Sequence, residues 1–204
     1  MRASRHRDQD SHCPRCGLRR EICICAILPT VPTRTEFVIL RHIAESRRPS
    51  NTGRFVLLAL PNSRMIACGG GDRIGLSLPD DEWLRAPGTC LLWPDGPGSK
   101  LIRPERIVVL DATWRQARRL FARTPALSTL PRLVLPAPAH ARDRLREQHR
   151  PDGMSTLEAV AAAVAEIEGA KAAEPLERLY DEVVRRTIAR RWGTRHPDHT
   201  GQTT

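Results

Sequence analysis

The stretch IVVLDATWRQARRLFAR, residues 107–123, decides the fold class of this chain. Its first four residues are consecutive branched aliphatics, the pattern of a strand that a parallel sheet buries on both faces. The strand runs directly into a predicted helix at residues 114–123. Asp111 and Thr113 stand between the two elements, and either side chain could cap the helix. A strand that leads straight into a helix is the building unit of α/β proteins.

Strands and helices alternate along the rest of the chain. Apolar β-favouring runs predict the strands, and apolar residues at helical spacing predict the helices. Ser155 and Glu158 form a capping box that starts one helix, and Pro175 is placed at the start of the last one. We therefore predict one α/β domain, a mostly parallel sheet with helices on both faces. The further predicted elements are strands at residues 37–40, 64–68, 89–93 and 133–135, and helices at residues 53–60, 155–167 and 175–192.

Composition and charge describe a folded, basic protein. The 204 residues, 40% hydrophobic and 27% charged, exclude both a disordered polyelectrolyte and a fibrous repeat. Lys and Arg total 33 against 23 acidic residues, so the net charge of +10 should attract polyanions, nucleic acid first. Only two of these basic residues are lysines; arginine suits phosphate binding, although a GC-rich genome gives the same bias. No apolar run reaches the ~18 residues of a membrane span and no secretion signal is evident, so we expect a cytoplasmic protein without a membrane partner.

Four of the six cysteines lie within CPRCGLRREICIC, residues 13–25. In a reducing compartment such a cluster indicates metal binding before disulfides, and four thiolates can complete a tetrahedral zinc site. The gap of one residue in the second pair is less usual, and free thiols remain the alternative. A closed site of this kind has no open position for catalysis, so its role would be structural. The predicted ligands are Cys13, Cys16, Cys23 and Cys25.

Five segments, in this order, resemble the DTW-domain family: CPRCGLRREICICAILP, NTGRFVLLALPNSR, LLWPDGPG, LDATWRQARRL and RLREQHRPDGMSTLEAV. The resemblance covers residues 13–190. It implies a tRNA-uridine aminocarboxypropyltransferase, which moves the 3-amino-3-carboxypropyl group of S-adenosylmethionine to N3 of a uridine in tRNA and leaves 5′-methylthioadenosine. It also implies a SPOUT-like fold, related to the SPOUT methyltransferases, and leaves open whether this chain carries their trefoil knot.

The chain divides into four predicted parts. Residues 1–12 form a disordered basic arm, and residues 13–30 form the zinc-binding element. Residues 31–192 form the catalytic domain that the resemblance implies. Residues 193–204 form a polar tail.

The resemblance also implies the site residues. The family signature gives Asp111, Thr113 and Trp114 as the catalytic set. At the carboxyl end of a parallel strand, Asp111 should face the ligand cleft, where it is our candidate base for the N3 proton. Contacts with the donor are implied for Pro94, Asp95, Ser155, Thr156 and Glu158.

Basic side chains supply the candidate RNA contacts. Three arginines share one exposed face of the helix after LDATW and form a ridge suited to phosphates. Where relatives tend to have Ser-x-Tyr, this chain has Ala141 and Asp143, so we expect contacts in that segment to be electrostatic. The RNA-binding candidates are Arg115, Arg118, Arg119, Arg142 and Arg146.

Two other functions compete with the transferase hypothesis. An RNA methyltransferase would use the same donor and leave S-adenosylhomocysteine. A zinc-stabilised RNA-binding module without catalysis would account for the cysteines and arginines, but it leaves LDATW and WPDG unexplained. The sequence leaves open the tRNA, the uridine position and the oligomeric state.

Overall fold

The structure is a computed structural model that describes residues 11–46, 48–69, 81–96, 103–136, 143–145 and 153–193. Five strands lie within these ranges: β1 (Glu36–His42), β2 (Ser63–Cys68), β3 (Thr89–Leu92), β4 (Arg106–Asp111) and β5 (Arg132–Leu133). The helices in the same ranges are α1 (Gly53–Ala59), α2 (Asp81–Leu84), α3 (Trp114–Arg123), α4 (Pro125–Thr129), α5 (Thr156–Glu168) and α6 (Ala170–Gly193).

The strands form one parallel sheet in the order β2-β1-β4-β3-β5. Strands β1 and β4, each with a run of four large apolar residues, are neighbours in the interior of the sheet, where they are buried on both faces. Their register pairs Arg41 with Asp111, at the carboxyl end of both strands. The predicted parallel α/β fold is confirmed.

Alternating residues of the central strands build two cores. Phe37 and Ile39 of β1 pack with α1, α5 and α6 on one face of the sheet. Val38 and Leu40 point to the other face and pack with α2, α3 and α4. Each of these side chains is fully buried, which contributes about 1.5–3 kcal/mol per residue. The helices thus cover both faces, as predicted.

Helix α6 begins earlier than predicted. Gly169 has a φ of 97°, a conformation that suits glycine, and it ends α5 so that Ala170 begins α6 at once. Pro175 therefore lies inside the helix, and its missing N–H leaves the carbonyl of Lys171 without a helical donor. The apolar stripe of α6 already begins at Ala173, which is buried. Packing of this extra turn outweighs the one lost hydrogen bond.

The cysteine-rich segment shares a core with the sheet. Cys16, Leu18, Ile24 and Val31 belong to the same buried cluster as the α5 and α6 face. The predicted arm and tail lie almost wholly outside the described residues. The SPOUT relation and the knot stay predictions, because the connection from β5 to α5 passes through residues 137–142 and 146–152, which the structure does not describe. None of the described helices is long and apolar enough to cross a membrane.

Candidate active site and cysteine cluster

A cleft of about 350 Å³ lies at the carboxyl edge of the sheet. The ends of β3 and β4 and the first residues of α3 and α5 border it. Ligands of parallel α/β proteins bind at this edge, so the position agrees with the predicted site. The predicted site residues that line the cleft are Pro94, Asp111, Thr113, Trp114, Ser155 and Thr156.

Asp111, the last residue of β4, is buried and holds four hydrogen bonds. Asn51 Nδ2 donates to both carboxylate oxygens, at 2.8 and 2.7 Å. Thr156 Oγ1 donates to Oδ1 at 2.7 Å, and Arg41 Nε donates to Oδ2 at 3.0 Å. A carboxylate offers about four acceptor sites, so these contacts occupy all of them. Asp111 therefore ties together β1, the segment before α1 and the start of α5.

The segment Asn51, Thr52, Gly53 is shaped to meet that carboxylate. A Cβ atom on Gly53 would lie 2.5 Å from Asp111 Oδ2, so only glycine permits this approach. Thr52 Oγ1 accepts a hydrogen bond of 3.2 Å from the backbone N–H of Leu157, a donor that the first turn of α5 leaves unsatisfied. The loop before α1 and the N-terminus of α5 are thus held against each other.

Sequence reasoning missed the partners of Asp111. Arg41 and Asn51 lie between the predicted strand at residues 37–40 and the predicted helix at residues 53–60, 70 and 60 residues before Asp111 in the chain, and no sequence pattern assigns them a role. Their proximity follows from the pairing of β1 with β4, which hydrophobic periodicity does not reveal. The signal that could have singled out Asn51 is the segment NTGRFVLLALPNSR, which carries part of the family resemblance.

Thr113, and not Asp111, caps α3. Its hydroxyl accepts from the backbone N–H of Gln116, and the Gln116 side chain accepts from the backbone N–H of Thr113, which completes a capping box. Ser155 and Glu158 form the equivalent box on α5, as predicted. Capping explains the contacts of Glu158 without a ligand, and its role in donor binding stays a prediction.

Aromatic side chains form one wall of the cleft. The Trp93 ring stacks on Phe121 with centroids 4.7 Å apart and meets the edge of Trp114 at 5.9 Å. Trp93 and Trp114 both line the cleft, and such a wall suits the stacking of a nucleic-acid base. Asp95, in contrast, is exposed and does not line the cleft; its carbonyl oxygen accepts a hydrogen bond of 3.1 Å from Arg132.

The predicted basic ridge of α3 is exposed. Arg115, Arg118 and Arg119 point to solvent, while Leu120 and Phe121 are half-buried on the other side of the helix. Within the ranges that the structure describes, no side chain forms an ion pair with any of the three arginines. Their charge is therefore available to a polyanion. Arg142 and Arg146 lie outside the described residues.

The four N-terminal cysteines converge. The sulfurs of Cys13 and Cys25 are 3.5 Å apart and those of Cys16 and Cys23 are 3.7 Å apart. All four sulfurs lie within 4.8 Å of one another. Zn–S bonds of about 2.3 Å in a tetrahedron place sulfurs roughly 3.8 Å apart, so the four residues fit a zinc ion. The gap of one residue in the second pair does not prevent this convergence.

Two arginines lie beside the cysteine cluster. Burial lowers the pKa of Arg54 in α1, and its electrostatic interaction with Cys16 opposes that shift. Arg186 of α6 donates a hydrogen bond to the carbonyl oxygen of Cys23. Four thiolates around one zinc ion carry a net negative charge, which these two guanidinium groups would offset. The cluster is thereby joined to both α1 and α6.

The fold and the cleft define a parallel α/β protein with a cleft at the carboxyl edge of its sheet and a cysteine cluster suited to zinc. The family model of the DTW domain matches residues 10–188. The chain belongs to the DTW-domain family.

Three curated relatives of the chain are all named for the same activity. The tRNA-uridine aminocarboxypropyltransferase A of Arabidopsis thaliana is 31% identical over 139 residues, 55% of this chain and 53% of the relative. The tRNA-uridine aminocarboxypropyltransferase 2 of Mus musculus is 27% identical over 180 residues, covering 80% and 58%. The Drosophila melanogaster protein of the same name is 30% identical over 168 residues, covering 76% and 66%. The chain thus spans between about half and two thirds of the length of these relatives. No solved structure matches the chain.

Proposed function

We propose that this chain transfers the 3-amino-3-carboxypropyl group of S-adenosylmethionine to N3 of a uridine in tRNA and releases 5′-methylthioadenosine. The observation that carries the proposal is the cleft in which the LDATW and STLEA motifs meet, joined by the hydrogen bond of Thr156 to Asp111. The names of the relatives and the exposed arginines of α3 support it.

At the γ-carbon of the donor, the reaction makes one bond and breaks one, and a proton leaves N3. The uridine N3 atom attacks the γ-carbon of the amino-acid arm, the bond from that carbon to the sulfonium breaks, and sulfur leaves as a neutral thioether. The proton on N3 has to pass to a base, for which Asp111 is our candidate. Because hydrogen bonds occupy the carboxylate, the Thr156 hydroxyl, which lines the cleft, is the group through which the proton would reach it. The donor also offers a methyl group, so alignment decides the product.

Two labelled forms of the donor test the proposal. The purified protein is incubated with tRNA and S-adenosylmethionine labelled either in the carboxypropyl carbons or in the methyl group. We expect the carboxypropyl label alone to enter a uridine nucleoside, with 5′-methylthioadenosine as by-product, and an RNA without uridine to remain unlabelled. Methyl label in the RNA would establish a methyltransferase instead. Binding of tRNA without transfer of either label would indicate a binding module.

The ridge of α3 is proposed to bind phosphates of the tRNA. Replacing Arg115, Arg118 and Arg119 together by alanine should weaken tRNA binding and lower the slope of log K against log salt by about 2–3, because each contact releases nearly one counterion. Titrations at several salt concentrations measure this slope.

The control variant removes Arg178 and Arg185, which are exposed on α6 but paired with Glu174 and Glu182. Its binding constant and salt slope should match those of the wild type. A triple variant with the wild-type slope would show that the ridge of α3 does not contact RNA.

A further inference from the structure

A second buried carboxylate in the cleft has no part in the mechanism above. Glu45 belongs to a short helical turn, Ile43–Glu45, that follows β1 directly at the carboxyl edge of the sheet. The residue is 1% exposed and lines the cleft. A carboxylate removed from water is costly unless a cation or a set of donors compensates it. The Glu45 carboxylate therefore depends on positive charge and hydrogen-bond donors around it.

Arg48 supplies one such charge, but from the surface. Its Nε lies 3.2 Å from Glu45 Oε1, and its side chain is 47% exposed against 2% for Glu45. Arg48 also lines the cleft. A half-exposed arginine can change rotamer at little cost, so this pair can open to a ligand.

The ion pair of Glu45 and Arg48 presents different charges to a ligand from those of the Asp111 carboxylate. Hydrogen bonds from three protein side chains hold the Asp111 carboxylate in place. Glu45 and Arg48 instead present an anion and a cation side by side on the wall of the cleft. An α-amino acid group carries an ammonium and a carboxylate on a single carbon. Such a zwitterion can pair its ammonium with Glu45 and its carboxylate with Arg48.

We propose that Glu45 and Arg48 bind the amino-acid end of the donor, with Glu45 accepting from the α-ammonium and Arg48 pairing with the α-carboxylate. The inference rests on the proposed function, because the donor named there carries this group. The transferred group is itself the amino-acid arm. Holding its end therefore helps to align the γ-carbon, and not the methyl group, with the nucleophile.

Two nucleosides that differ in this group provide the test. S-adenosylhomocysteine carries the amino-acid end, and 5′-methylthioadenosine lacks it. Calorimetric titration should show that Glu45→Gln lowers the affinity for S-adenosylhomocysteine ten- to hundredfold, the effect of one hydrogen bond between charged groups, and leaves that for 5′-methylthioadenosine within about twofold. Arg48→Gln should show the same selectivity, and as a change at a half-exposed residue it tests the pair even if the Glu45 variant does not fold.

Glu36→Gln is the matched control. Glu36 lies at the opposite end of β1, outside the cleft, and pairs with Arg64 and Arg106, so its loss should change neither affinity. An equal loss for both nucleosides in the Glu45 and Arg48 variants, or no loss, would overturn the inference while donor binding stands. A wild-type protein that binds neither nucleoside would overturn the proposed function, and this inference with it.

Discussion

Asp111→Asn is expected to lower the free energy of unfolding by about 3–5 kcal/mol, the usual effect of removing one partner from a buried charge pair. The new amide would turn an N–H₂ group toward donors that now bind the carboxylate, from Arg41, Asn51 and Thr156. Arg41, whose side chain is 15% exposed, would keep its charge without the carboxylate that now pairs with it. Urea unfolding of the two proteins measures the difference.

A double variant that exchanges the side chains of Asp111 and Asn51 is the control for Asp111→Asn. In Asp111→Asn combined with Asn51→Asp, the carboxylate moves to position 51, where Arg41 Nη2 already lies 3.2 Å from the side-chain oxygen. The double variant should recover most of the lost stability, whereas Asn51→Asp alone should destabilise because it sets two carboxylates against each other. A single Asp111→Asn variant as stable as the wild type would contradict the hydrogen-bond network.

The exchange also separates stability from chemistry. If Asp111 takes the N3 proton through Thr156, a stable double variant should transfer the carboxypropyl group on the order of 10²-fold more slowly, because the acceptor has moved away from the hydroxyl. Turnover near the wild-type rate in a stable double variant would remove Asp111 as the base and leave it as the residue that organises the site.

The elements around the site were predictable because local chemistry defines them. Residues 107–110 are aliphatic without interruption, so a central parallel strand was the natural expectation, and β4 confirms it. The capping box of Ser155 and Glu158 predicted the start of α5, and the structure confirms it. The resemblance assigned Asp111 to catalysis and Ser155 and Thr156 to the donor, and the strand-end rule placed Asp111 at a cleft, but the hydrogen bond of Thr156 to Asp111 was not predicted.

The parts of the site that escaped prediction depend on strand order. Periodicity gives the strands but not their neighbours, so nothing local indicated that the end of β1 would bring Arg41 beside Asp111. Nothing local indicated a role for Glu45 either, because a carboxylate outside the apolar patterns is ordinarily exposed. The resemblance implies a donor contact for Asp95, which is exposed and does not line the cleft, so that contact stays a prediction. Long-range strand pairing, and not local propensity, thus places Arg41 beside Asp111.

Loss of metal from the cysteine cluster should also destabilise the protein strongly. We expect about one zinc ion per chain, and we expect Cys16→Ser to lose it and to lower the melting temperature by about 10 °C or more. The sulfur of Cys16 lies in the buried cluster that joins the cysteine segment to the face formed by α1, α5 and α6, so opening the site also loosens that packing. Metal analysis after anaerobic purification and thermal melts with and without a chelator measure both quantities.

Cys90→Ala is the control for removing a buried thiol. Cys90 lies in β3 and is not one of the four converging cysteines, and burial raises its pKa to about 12, so it should remain a neutral side chain that binds no metal. This variant should keep its zinc and its sensitivity to the chelator, whereas Cys16→Ser should melt at one temperature whether or not the chelator is present. A wild-type protein that is purified anaerobically without metal, and whose melting temperature the chelator does not change, would leave the four cysteines as ordinary thiols. The proximity of their sulfurs would then reflect the packing of the segment against α1 and α6 alone.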